Sequence, residues 1–237
     1  MSNSKLVNYT KISPNSTNPR NHKIDKITIH HMAGNLSVET CGNVFAPKSR
    51  KASSNYGVGS DGRVGLYVDE ANRAWTSSNA GNDNRAVTIE VANDGGAPDW
   101  HVSDKALEKT IELCVDICKR NGIPRLNFTG DKSGNLTMHK WFANTNCPGP
   151  YLESKFPYIA EEVNKRLGAE PVRPEESAYL VKITASLLNV RKGPGTNYRI
   201  ATVVKKDEVY TIVSESNGWG KLKSGAGWIK LSYTKRV

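Results

Sequence analysis

The run Gly168-Ala-Glu-Pro-Val-Arg-Pro-Glu-Glu-Ser177 constrains this chain more than any other stretch, because it has two prolines, several charges and almost no apolar side chains. Proline fixes φ and offers no backbone N–H, so such a run extends as an exposed linker and joins no core. It cuts the 237 residues into a piece of about 167 and one of about 60, both within the range of independently folding domains. The expected organisation is one domain over 1–167, a linker over 168–177 and a second domain over 178–237.

The two pieces differ in period. In the first, residues 26–31 and 86–92 alternate as strands, and 55–60 and 63–68 flank the hairpin signature Ser60-Asp61-Gly62-Arg63. Ser37 caps a short helix that Pro47 ends. Ser103 caps a longer one, with Leu107, Ile111, Cys114, Ile117 and Cys118 in one stripe and Gly122 and Pro124 closing it. A last helix over about 151–167 carries Phe156, Ile159, Val163 and Leu167 and stops at Gly168. These elements predict an α/β domain, a mixed central β-sheet flanked by helices. The second piece has no helical period. Its short β-rich runs at 200–204, 209–213, 219–222 and 227–231, parted by glycine and polar turns, predict a small all-β barrel.

No stretch of about 18 apolar residues exists, so no membrane insertion is expected. The first ten residues hold no apolar run of the length a secretory signal needs. The expectation is a product made in the cytoplasm without a signal peptide. Cys114 and Cys118 fall on a buried helical stripe, which favours reduced core cysteines over a disulfide framework. Net charge is +10, and residues beyond 167 hold 12 Lys/Arg against 6 Asp/Glu. That excess points to a polyanionic partner without separating nucleic acid from anionic cell wall or plain solubility. No nucleic-acid motif accompanies it, so none is expected as a partner. Gly95-Gly96 reads as a turn, since no helix pattern follows at phosphate-loop spacing.

Three residues carry candidate chemistry. His30 closes the apolar run Lys26-Ile-Thr-Ile-His30, and His139 lies eight residues before Cys147. Alone, each has an ordinary reading: a histidine at a strand end is usually a satisfied polar group, and a lone cysteine a small buried hydrophobe. Together, two imidazoles and a thiolate suit tetrahedral zinc, and three protein ligands leave a fourth position open for water or substrate. Alternation along 86–92 turns Thr88 and Glu90 to one face and Val87, Ile89 and Val91 to the other. Glu90 is then either the partner of an arginine such as Arg85, a solvated side chain, or, beside a metal, the general base towards water. His31 should point opposite His30, His22 and His101 belong to the surface, and Trp75 and Trp141 are core residues or stacking platforms.

The order Ile27-Thr-Ile-His-His-Met-Ala-Gly34, Thr88-Ile-Glu-Val-Ala-Asn93 and His139…Cys147-Pro-Gly149 closely resembles the zinc-dependent N-acetylmuramoyl-L-alanine amidases of the type 2 group. These are relatives of phage amidase lysozymes and peptidoglycan-recognition proteins. The resemblance covers roughly residues 20–165. It implies zinc on His30, His139 and Cys147, proton transfer by Glu90, and cleavage of the amide between N-acetylmuramic acid and L-alanine of the stem peptide. Thr145 stands where several relatives carry an oxyanion-stabilising lysine; it supplies a hydroxyl donor or is a loop turn residue. Other relatives use a tyrosine on the second strand, a place that Ser54, not Tyr56, fills here.

Leu188-Asn-Val-Arg191-x-Gly-Pro, with Gly218-Trp219 and Gly227-Trp228, resembles the bacterial SH3-type domains, which commonly bind cell wall. The pairing implies a phage or prophage endolysin, or a bacterial autolysin, acting on peptidoglycan of Gram-positive walls. The apparent lack of a signal leans towards an endolysin released by a membrane-permeabilising partner. The alternative is a non-catalytic peptidoglycan-recognition protein. Such proteins usually lose a ligand, often the cysteine, whereas this chain keeps Cys147, both histidines and Glu90. Neither reading fixes an oligomeric state.

Overall fold

The computed structural model describes residues 2–169, 178–216 and 218–237. The chain forms two compact units that divide between residues 171 and 172. Apart from Gly168 and Ala169, the expected linker lies outside the described residues.

The first unit runs β1 (Val7–Thr10), β2 (Ser16–Thr17), β3 (Lys26–His31), α1 (Val38–Phe45), β4 (Tyr56–Val58), β5 (Val64–Leu66), β6 (Arg73–Ala74), α2 (Ala80–Arg85), β7 (Ala86–Val91), α3 (Asp104–Asn121), β8 (Leu136–Met138) and α4 (Pro150–Leu167). Six strands form one sheet in the order β1-β5-β4-β7-β3-β8, while β2 and β6 pair separately. Only β4 and β5, the expected hairpin, run antiparallel in the large sheet. This is the mixed sheet with flanking helices that the two periods predict.

The helices begin and end where capping chemistry places them. Ser37 and Ser103 accept from the backbone N–H of Thr40 and Ala106, both at 3.1 Å, and Gly122 and Gly168 close α3 and α4 in the left-handed region. One sheet face carries Ile27, Ile29, Val87, Ile89, Val91, Leu136 and Met138 and packs on α3 and α4 through Ile111, Ile117, Phe156 and Ile159. Each such side chain contributes about 1.5–3 kcal/mol of burial. Cys114 and Cys118 sit in this core as free thiols.

The opposite face is polar or bare where the first is apolar. Thr28, Thr88 and Thr137 are fully buried yet satisfied: Thr28 and Thr137 hydroxyls lie 2.9 Å apart, and Thr88 Oγ1 accepts from the Asn55 amide at 3.1 Å and meets Thr76 Oγ1 at 2.8 Å. Gly57 and Gly65 are neighbours across β4 and β5, and a Cβ on either would stand 2.6 or 2.5 Å from the Tyr67 hydroxyl. Their missing side chains admit the Tyr67 ring, whose hydroxyl donates to the Val38 carbonyl at 2.8 Å and so ties α1 to this face. Elsewhere, fully buried Glu70 accepts from the Tyr56 hydroxyl at 2.7 Å and from Arg120 at 2.6 Å.

The second unit contains β9 (Tyr179–Ile183), β10 (Leu187–Arg191), β11 (Ile200–Lys205), β12 (Val209–Ser216), β13 (Trp219–Leu222), β14 (Trp228–Lys230) and β15 (Thr234–Arg236). All pairings are antiparallel, in the order β11-β10-β14-β13-β12-β9-β15. The four expected runs are β11 to β14, and the phrase Leu188-Asn-Val-Arg191 lies on β10. Alternate residues Val181, Ile183, Leu188, Val190, Ile212 and Ile229 supply the core, which makes the unit all-β. Trp219 is buried, whereas Tyr198 is exposed.

Candidate metal centre

Strand register assembles the site. Parallel pairing of β3 with β7 sets His30 opposite Glu90, and pairing of β4 with β7 sets Gly57 on the other side of Glu90. β8 pairs Met138 with Ile29, so the next residue, His139, emerges beside His30, their ring centroids 4.6 Å apart. The loop after His139 returns Cys147 to the same place, with Sγ 3.6 Å from His30 Nδ1. One donor atom from each of the three lies within 4.8 Å of the others. They gather at the C-terminal ends of parallel strands, where an open α/β sheet leaves its crevice.

Backbone contacts hold Cys147 there. Its N–H donates to Thr145 Oγ1 at 3.2 Å, and its carbonyl accepts from the Lys140 amide at 3.0 Å. Gly149 then turns the chain at φ +84, where a Cβ would meet Trp100 Cβ at 3.0 Å and the His31 ring at 3.3 Å. Pro150 opens α4 directly after it.

The electrostatics point to a cation. Burial, aided by His139 and His31, drives the His30 pKa well below its ordinary value, and burial lowers that of His139. Burial thus favours the neutral ring in both, the form that ligates metal. His30 Nε2 and His139 Nε2 are buried without a hydrogen-bond partner among the described residues. Burial and then the Glu90 carboxylate push the Cys147 thiol up, against a backbone contact from His31 that favours the thiolate. Glu90 itself is raised to about 8 by burial, with Arg50 pulling the other way. A divalent ion among these groups reverses that reluctance to ionise. The three residues form a candidate metal site.

The cleft over this centre, about 390 Å³, is lined also by Glu90, Thr145, His31, Arg50, Trp75, Thr76 and Cys41. Arg85 does not reach Glu90; it pairs with Asp25. Thr145 Oγ1 accepts from the Cys147 amide, which leaves its own proton to donate. Ser54 is fully buried and donates to the Thr88 carbonyl at 3.0 Å. His31 reaches the cleft and packs edge-on against Trp100. His22 and His101 are exposed, the latter bound to Asp94. Trp141 stacks on Phe128 against the core, whereas Trp75 stands in the cleft wall with Nε1 donating to Thr17. Sequence reasoning missed Arg50, Thr76 and Cys41 in the wall. Only Cys41 had a local signal, as an apolar position of α1.

The profile of the bacterial SH3 domain matches residues 186–235, and that of the N-acetylmuramoyl-L-alanine amidases matches residues 20–150. No curated protein sequence matches the chain. Among solved structures, PlyL is 16% identical, with 66% of this chain and 96% of PlyL covered at a TM-score of 0.53. The PlyG catalytic domain is 15% identical over 70% of this chain and 98% of its own, also at 0.53. The XlyA catalytic domain is 16% identical over 66% and 99%, at 0.52. Identities this low establish a shared fold. The amidase profile spans more than half of the 237 residues and encloses the His30–His139–Cys147 cluster, and the chain belongs to the N-acetylmuramoyl-L-alanine amidase family.

Proposed function

We propose that this peptidoglycan hydrolase is a zinc enzyme in which His30, His139 and Cys147 hold the metal, Glu90 moves the protons and Thr145 donates to the developing oxyanion. One observation carries the reading: two imidazoles and a thiol converge at the C-terminal ends of parallel strands, with a carboxylate opposite His30 in the adjoining strand. Two donors of one tetrahedral zinc, at about 2.1 and 2.3 Å from it, stand about 3.6 Å apart. Cys147 Sγ and His30 Nδ1 have that separation, 3.6 Å. Zinc held there would supply Lewis acidity, to polarise an amide carbonyl and bring the pKa of water to about 7.

The chain's own groups complete the reaction. Glu90 accepts a proton as the water oxygen bonds to the lactyl carbonyl carbon. The C–N bond to L-alanine then breaks, and Glu90 returns the proton to the departing amine. The products are a lactyl carboxylate and a free α-amine. Glu90 suits the task because burial raises its pKa towards neutrality and no neighbouring residue occupies its oxygens by hydrogen bond among the described residues. Thr145 brings one neutral donor, so it stabilises the oxyanion less than a charged group would.

The bacterial SH3 unit serves to hold the enzyme on the Gram-positive wall. It offers a groove of about 430 Å³ lined in part by Leu187, Asn189, Arg191, Trp219, Lys230 and Tyr233. We place the action at the wall, as an endolysin or autolysin. No helix among the described residues is long and apolar enough to cross a membrane.

Digestion of purified Gram-positive wall tests the reading. New free amine without new reducing sugar, lost on chelation and restored by zinc, is the expected result. New reducing ends without amine would identify a glycosidase and overturn it.

A further inference from the structure

The cleft wall carries a cation that the mechanism above leaves unused. Arg50 ends the 3₁₀ turn Lys48–Arg50 and lines the same cleft as Glu90, Thr145 and Trp75. Its backbone is fixed from both sides by buried polar groups. Asn15 Nδ2 donates to the carbonyls of Phe45 and Pro47 at 3.0 and 2.9 Å, and the Ser53 hydroxyl donates to the Asn15 carbonyl at 2.6 Å. The Arg50 amide closes the turn on the Pro47 carbonyl at 3.0 Å. Lys51 follows at φ +51, a conformation a non-glycine residue keeps only where its surroundings enforce it. The side chain is the reverse. It is exposed and has no hydrogen bond or ion pair among the described residues. The fixed backbone sets where the guanidinium can reach, and its donors, held by no hydrogen bond, are free to turn to a ligand while its charge is felt by Glu90.

Charge and position say which ligand. Among the residues lining the cleft, Arg50 is the one lysine or arginine. An exposed cation whose donors are taken up by no neighbouring carboxylate draws in an anion. Because its guanidinium is exposed, it meets a substituent at the cleft mouth instead of the reacting carbonyl. The glycan side of the scissile bond brings no anion, since the lactyl carboxyl is itself tied up in the amide. The peptide side carries free carboxylates, which the planar guanidinium fork matches with two hydrogen bonds.

We propose that Arg50 binds a free carboxylate of the stem peptide and makes the enzyme prefer peptides in which that group is not amidated. This rests on the amidase reading. The carboxylate belongs to the second or the third residue of the peptide, and the substrates below distinguish the two.

The experiment compares wild type, R50Q and R50K on soluble N-acetylmuramoyl peptides with the second-residue carboxylate, the third-residue carboxylate, both or neither converted to the amide. It reads kcat and KM, and separately the Kd of the peptide product by titration calorimetry. R50Q should raise KM and Kd by about 10- to 100-fold for the free-carboxylate form, the range of a hydrogen bond to a charged group, and much less for the fully amidated form, while any change in kcat through the field of Arg50 on Glu90 is common to both forms. The amide that abolishes this difference names the carboxylate. R50K keeps the charge without the fork and should fall between. Melting temperature should not move, since the side chain touches no partner. An equal KM increase on free and fully amidated substrates would overturn the proposal, as would no change in R50Q. A fall in kcat alone would move Arg50 to the oxyanion and overturn it too. A wild-type protein that releases no amine from any of the four would instead overturn the amidase reading, and this proposal with it.

Discussion

Replacing Glu90 by glutamine should move activity and stability in opposite directions. Activity should fall about 10²- to 10⁴-fold, the usual contribution of a general acid–base group. Stability follows from the raised pKa of the carboxyl, about 8 against an ordinary 4.5. Between those values the folded, metal-free protein keeps a proton that the unfolded chain releases. The contribution is fully present below 4.5 and is lost as pH rises through about 8. Glutamine does not titrate, so E90Q escapes the loss. At 1.36 kcal/mol per pH unit, the interval bounds the gain at about 5 kcal/mol at pH 9. Glu90 is half-buried and lines the cleft, and screening there reduces the figure to about 1–3 kcal/mol. For a chain of this size that raises the melting temperature by roughly 2–10 °C. Thermal denaturation of the chelator-treated proteins should show the gain at pH 9 and little difference at pH 5, while amine release by the zinc-loaded variant collapses. An E90Q protein that melts below wild type at pH 9, or turns over at nearly the wild-type rate, would refute the reasoning.

Three further outcomes are expected. Elemental analysis after dialysis against metal-free buffer without chelator should find about one zinc per wild-type chain and much less in H139A or C147S, since a hydroxyl is a far poorer ligand than a thiolate; full occupancy in H139A would contradict the ligand set. E70A strips the Tyr56 hydroxyl and Arg120 of their shared buried acceptor and should cost about 3–5 kcal/mol in urea denaturation, with turnover per folded molecule unchanged. Residues 178–237 fused to a fluorescent protein should label susceptible cells, and their deletion should lower lysis of intact walls far more than cleavage of small muropeptides. Labelling that vanishes in moderate salt would mean bare charge attraction, whose reach is about 8 Å at physiological ionic strength.

The sequence by itself determined what local physics can encode. Ser103 and Gly122 bounded α3, Gly168 ended α4, Asp61-Gly62 marked the β4–β5 hairpin, and alternation turned Glu90 away from the core face that Ile89 and Val91 share. It also supplied the types of group that hold zinc. β1 and β8 escaped notice, because strands of four and three residues are too short to display a period. What only the tertiary structure decided is adjacency. His30, Glu90 and His139 are far apart along the chain, and β3 brings them together by pairing in parallel with β7 on one side and β8 on the other. Parallel register is set by long crossovers and by helices packing on the far face, and no short window of sequence records either. Arg50 shows the same limit. Nothing in Lys48-Ser-Arg-Lys51 distinguishes it from a surface turn, and it reaches the cleft because Asn15, from a distant loop, fixes the backbone beside it.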